Sequence, residues 1–143
     1  MTGPKHRGVG IVATNRDRTR FLVQQKDEHY VPHPRGYSFF GGACEHGESA
    51  KAALTRELRE ELPESSAQML LDASPREVGS YRVGPTAFSF LLFEAVVPDS
   101  VLDALAQSPV LEGERAAVVS RDALIELPFV WDLLEVVIDY LAD

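Results

Sequence analysis

The chain has 143 residues, 45% of them hydrophobic and 25% charged, with a formal net charge of −8 and a single cysteine, Cys44. That is the composition of one globular domain, read as 1–143, and it excludes a disulfide framework and a low-complexity protein. The acidic balance and the lack of a Lys/Arg cluster exclude long nucleic acid as a ligand, while the absence of a long apolar run excludes a membrane span.

MTGPKHRGVG carries no export-signal pattern, so the expected location is cytoplasmic. VGIVAT (9–14) and RFLVQQ (20–25) predict a hairpin across the polar turn NRDRT. KDEHYVPHPRG is a loop, and YSFF (37–40) is a short strand running into Gly41 and Gly42. From Ser49 the spacing turns helical, with Leu54, Leu58 and Leu62 on one face and Pro63 as the stop. REVGSYRV (76–83) and TAFSFLLFEAVV (86–97) predict two strands, SVLDALAQ a short helix, and ERAAVVS (114–120) the last strand. SRDALIEL is a short capped helix, and FVWDLLEVVIDYLAD a final amphipathic helix whose core stripe is read as Trp131, Leu134, Ile138 and Leu141. The fold class expected from this order is α/β, a mixed β-sheet sandwiched between helices.

The chemistry concentrates in GGACEHGESAKAALTRELREEL (41–62). On a helix, Glu57, Glu60 and Glu61 share an arc of about 100° bordering the buried leucine stripe. A solvated helix laced with ion pairs, such as Arg56 to Glu60, is the ordinary reading of such a run. Crowded carboxylates, however, raise one another's pKa unless a cation sits among them, and oxygen-rich clusters suit Mg²⁺ or Mn²⁺. The two glycines permit a tight backbone approach just ahead of the helix, and Glu48 adds an acid where the helix dipole favours one.

Gly42, Glu48 and the run Arg56-Glu57-Leu58-Arg59-Glu60-Glu61 resemble the signature of the Nudix hydrolases, Gly-x5-Glu-x7-Arg-Glu-apolar-x-Glu-Glu-x-Gly-apolar. Pro63 and Glu64 depart from its last two positions, and Phe40 stands where a proline is common before the double glycine. Proline cannot take the left-handed conformation of a glycine, so the exit from the helix is expected to follow its own path.

The resemblance implies a single Nudix domain that cleaves a pyrophosphate bond in a nucleoside diphosphate linked to another group, with divalent cations, Mg²⁺ or Mn²⁺. The order of elements is similar to the branch cleaving nucleoside triphosphates. An ADP-ribose or dinucleoside polyphosphate hydrolase, and a non-catalytic nucleotide-sensing module, stay open as alternatives. By resemblance, Glu57, Glu60 and Glu61 hold metal, with the Gly41 carbonyl as a further ligand, and Arg56 orients Glu48 through a bidentate pair. Glu57 and Glu112 carry the catalytic role, Glu112 as an additional metal ligand or as the general base. Glu112 is preferred to Glu114 because, as in triphosphate-cleaving relatives, a Glu-Gly pair stands eight residues before a serine, here Ser120. Lys26 and Arg35 are candidates for phosphate contact. Tyr37 and Phe39 are candidates for ring stacking, one on a base and the other packing the core. The expected partner is a small nucleotide, with a homodimer left open.

Overall fold

A computed structural model describes residues 7–142; the first six residues, which belong to the stretch read for an export signal, and the last residue of the final predicted helix lie outside them. The chain order is β1 (Arg7–Thr14), β2 (Arg20–Gln25), β3 (Tyr37–Ser38), β4 (Phe40–Ala43), α1 (Ala50–Glu61), α2 (Glu64–Asp72), β5 (Arg76–Val83), β6 (Phe88–Val96), α3 (Asp99–Gln107), β7 (Arg115–Ser120), α4 (Arg121–Leu124) and α5 (Leu133–Leu141).

The strands form one mixed sheet. β1 runs parallel to β6 along its whole length and antiparallel to β2 and β4, while β2 is antiparallel to β1, β3 and β7, and β5 is antiparallel to β6. β1 and β2 touch through Ala13↔Leu22 and Thr14↔Phe21 and then part. The predicted YSFF strand enters the gap and divides in two. Tyr37 and Ser38 pair with β2, and Phe40–Ala43 pair with β1. The divided strand carries Gly41 and Gly42 into the middle of the molecule.

Alternation along the strands splits the core between the two faces. Val9, Ile11, Leu22 and Phe93 meet Leu54, Leu58, Leu70 and Leu102 of α1, α2 and α3 on one side. Val12, Phe21, Val23 and Leu92 meet Leu124 of α4 and Leu133, Val136, Val137 and Tyr140 of α5 on the other. This is the expected α/β arrangement, a mixed sheet between helices. Buried Glu94 of β6 is held by Arg18, Arg76 and the Tyr140 hydroxyl, which fastens the hairpin turn to α5.

Two expectations change. The final helix begins at Leu133, so its buried stripe is Leu133, Val136, Val137, Tyr140 and Leu141; of the expected stripe Leu141 is buried, while Ile138 is 54% exposed and Trp131 precedes the helix at 37% exposed. Past Pro63 there is a second helix in place of an exit loop. Pro63, at φ −54° and ψ 152°, is the N-cap of α2, a position where its missing N–H costs nothing. Ala67 and Leu70 then bury against the leucine stripe, and Arg59 pairs with Glu64 across the junction.

Candidate active site

Ser49 caps α1 by accepting the Ala52 N–H at 3.1 Å, and Leu54 and Leu58 seat the helix on the sheet beside β4. Because Glu61 shares the buried face, its carboxylate goes inside, 1% exposed. There the Gly41 N–H donates to Glu61 Oε1 at 2.8 Å and Gln24 Nε2 donates to Oε2 at 3.3 Å. Burial pushes the Glu61 carboxyl up to about 8, opposed by the Gly41 bond and the Lys26 charge and reinforced by Glu112. Gly41, at φ 144°, is a position only glycine fills, since a Cβ there would lie 2.1 Å from the Val9 carbonyl oxygen.

Glu57 lies one turn earlier on the same glycine pair. A Cβ on Gly42 would stand 2.4 Å from Glu57 Oε1, so the absent side chain is what lets this carboxylate rest on the backbone. Its carboxyl is raised by burial, with Glu60 and Glu112 adding to the effect against Arg56. Arg56 faces this cluster and makes the bidentate pair with Glu48 that the resemblance implies. Its Nε and Nη2 form a fork on Glu48 at 2.8 and 2.9 Å, Nη1 donates to Glu57 Oε2 at 2.9 Å, and Nη2 donates to the Ala43 carbonyl at 2.9 Å. Hydrogen bonding to Arg56, with a further bond from the Glu45 N–H, holds Glu48 down at about 2. Glu60 is more exposed and sits 3.3 Å from Arg56 Nη1.

Among the described residues no three His, Cys, Asp or Glu side chains converge into a ready metal cage. The donor chemistry nevertheless fits a hard divalent cation. Glu57 and Glu61 are drawn against bare glycine backbone in surroundings that disfavour their negative charge, which an adjacent cation would relieve.

Glu112 belongs to the loop between α3 and β7. The loop is tied to the helix by Leu111 N–H to the Glu61 carbonyl at 2.8 Å and to β2 by Glu114 N–H to the Gln25 carbonyl at 2.8 Å. The Glu112 charge is felt at both Glu57 and Glu61.

A cavity of about 300 Å³ opens on the other side of Gly41 and Gly42. Phe39, Phe90, Val130 and Trp131 line it, with Lys26 and Tyr30 also on its wall. Lys26 further borders a second cavity of about 380 Å³ shared with Gln24 and Glu112. Lys26 and Phe39 are thus brought to the site. Arg35 and Tyr37 are not: Arg35 pairs with Glu28 at 3.3 Å, and buried Tyr37 accepts a hydrogen bond from Arg115 at 3.0 Å. The structure adds Gln24, Tyr30 and Trp131, which the sequence reading passed over. Trp131 is held at φ 52°, with its N–H donating to His33 Nε2 at 3.2 Å and its indole N–H to the Tyr30 hydroxyl at 3.4 Å. An uncharged amide at an inward position of β2 was a visible signal for Gln24; no local pattern distinguished Trp131 from core packing.

The NUDIX domain family profile matches residues 4–137, and the chain belongs to the Nudix family. It is accordingly an enzyme of the pyrophosphohydrolase class, and the family generally uses divalent cations. Among solved structures, the fold is similar to a mutT/nudix family protein from Listeria innocua, at TM-score 0.67 and 16% identity over 99% of this chain and 94% of that one. It is also similar to a MutT protein from Methanosarcina mazei Go1, at TM-score 0.66 and 17% identity over 100% and 99% of the two chains. A third similar structure, the dihydroneopterin triphosphate pyrophosphohydrolase of E. coli, gives TM-score 0.61 and 15% identity over 92% and 91%. No curated protein matches the sequence.

Proposed function

We propose that this chain hydrolyses the pyrophosphate bond of a nucleoside triphosphate-type substrate in the presence of Mg²⁺ or Mn²⁺. The observation that carries this reading is that Gly41 and Gly42 are a shared wall, with Glu57 and Glu61 against them on one side and the aromatic cavity on the other. A ring seated on Phe39 and Trp131 would then extend its phosphates past the glycines toward the acidic helix. Lys26, which borders both cavities, is suited to meet the phosphate chain on the way.

Glu57, Glu60 and Glu61, with the Gly41 carbonyl, would hold the divalent cations, whose chemistry when bound is to neutralise the pyrophosphate and acidify water. Arg56 fixes Glu48 and Glu57 in position. Glu112 takes the proton as water attacks phosphorus and the anhydride P–O bond between the α and β phosphates breaks, with the nucleoside monophosphate or pyrophosphate on the far side of that bond displaced as the leaving group. Glu57 is catalytic as the carboxylate that occupies the space a side chain on Gly42 would fill. A small nucleotide as partner and a cytoplasmic location belong to the same reading. Among the described residues no helix is long and apolar enough to cross a membrane.

The test is a panel of nucleoside triphosphates, ADP-ribose and dinucleoside polyphosphates, incubated with Mg²⁺ or Mn²⁺ and scored by product mass. Release of a nucleoside monophosphate and pyrophosphate from a triphosphate supports the proposal. Preferential cleavage of another class reassigns the substrate, and binding without cleavage of any member points to a sensor.

A further inference from the structure

Gln24 is fully buried on β2, on the sheet face that carries α1, among neighbours such as Leu22 that are apolar. Its Nε2 divides two hydrogens between Glu61 Oε2 at 3.3 Å and the Glu112 carbonyl at 3.4 Å. A main-chain carbonyl only accepts, which fixes the nitrogen on that side. The amide oxygen is left buried with no hydrogen-bond partner among the described residues. Such an atom is unfavourable, and a purely structural position on this strand would be filled by an aliphatic side chain. Gly113, at φ 90°, allows the loop to close in, since a Cβ there would stand 3.2 Å from Gln24 Nε2.

We propose that Gln24 is a positioning residue for hydrolysis, its amide clamping the Glu112 loop to Glu61 so that Glu112 faces the helix carboxylates. The proposal rests on the roles given to Glu61 and Glu112 in the proposed function. It accounts for the orphan oxygen: the amide is oriented by its two donor contacts, at the expense of its own acceptor. Gln24 touches no reacting atom in this scheme and works through the loop alone.

The test uses the full chain as wild type, Gln24→Met, Glu112→Gln and the double variant. Gln24→Met keeps the volume and removes the amide. Amide hydrogen exchange, without substrate or cation, is followed at Leu111 and Glu114, whose N–H groups tie the loop down. In Gln24→Met the Leu111 amide is expected to exchange at least about tenfold faster while the β1–β6 ladder is unchanged. kcat should fall about tenfold with KM within about twofold, and the double variant should lose no more than Glu112→Gln alone. Unchanged exchange at Leu111, or losses that multiply in the double variant, overturns the proposal. If Glu112→Gln keeps full activity, the catalytic role given to Glu112 fails, and the exchange result still decides whether Gln24 clamps the loop. Should Gln24→Met not fold, Gln24→Asn, which draws the amide back by one methylene, is judged by the same readouts.

Discussion

Replacing Glu61 by glutamine should make the protein more stable at pH 8 when cations are absent. The native carboxyl is raised from 4.5 to about 8, chiefly by burial. Between those two values the unfolded chain has released its proton and the folded chain has kept it. The folded state therefore binds more protons, and stability falls as pH rises through the window. At about 1.4 kcal/mol per tenfold change in proton affinity, the loss between pH 5 and pH 8 is about 3 kcal/mol. For a domain of this size that lowers the melting temperature by roughly 10 °C. Glutamine keeps an acceptor for the Gly41 N–H and, like the protonated carboxyl it replaces, presents no charge to the buried surroundings. Thermal and urea unfolding at pH 5, 6.5 and 8 in EDTA would compare the two proteins, with Glu57 and the other titrating groups common to both. The wild type should lose stability on rising pH, and Glu61→Gln should lose about 3 kcal/mol less. Adding Mg²⁺ or Mn²⁺ at pH 8 should raise the wild-type melting temperature more than the variant's. Equal pH slopes for the two proteins would refute the reasoning.

Gly42→Ala should fold, because its new methyl meets the movable end of Glu57 at 2.4 Å and displaces it, and kcat should fall on the order of 10²-fold in a steady-state assay. Arg56→Lys removes the two-pronged contact with Glu48, so the Glu48 carboxyl should titrate measurably higher by NMR and kcat should drop about tenfold. Glu112→Gln should lower kcat strongly with little change in melting temperature, and Glu114→Gln much less; the reverse ranking would move the proton acceptor along the loop. Trp131→Ala removes a wall of the aromatic cavity, and KM should rise about tenfold or more with a smaller change in kcat.

Where local pattern and tertiary packing agreed, the sequence was enough. The leucines at 54, 58 and 62 mark the face by which α1 docks, and all three are buried. Strand alternation likewise divides Val9 and Ile11 from Val12 between the two sides of the sheet. The reading erred where a neighbouring residue redirected a periodic pattern. Trp131 fits a four-residue helical spacing, yet its φ of 52° places it before the helix, so the stripe starts two residues later. Pro63 reads correctly as a terminus for α1, but the same fixed φ that ends one helix also suits the start of another. The terminus alone therefore does not distinguish a loop from α2.

The site divides along the same line. Glu57 and Glu61 come together with Gly41 and Gly42 because helix spacing and a glycine pair are short-range features. Helix spacing alone does not place the Arg56 guanidinium, because helical geometry fixes Cβ and leaves the end of a long side chain free. That guanidinium returns over the helix to reach Glu48, eight residues earlier. Gln24 and Trp131 lie furthest from local inference. Gln24 has meaning only once the loop 88 residues later in the chain is folded against it, and Trp131 only once Tyr30, 101 residues earlier, meets its indole. Such contacts are created by the sheet's division between β1 and β2, which opens one side to the acidic helix and the other to the aromatic cavity. The short-range signature thus locates the carboxylates, while the long-range packing positions the loop and shapes the cavity that face them.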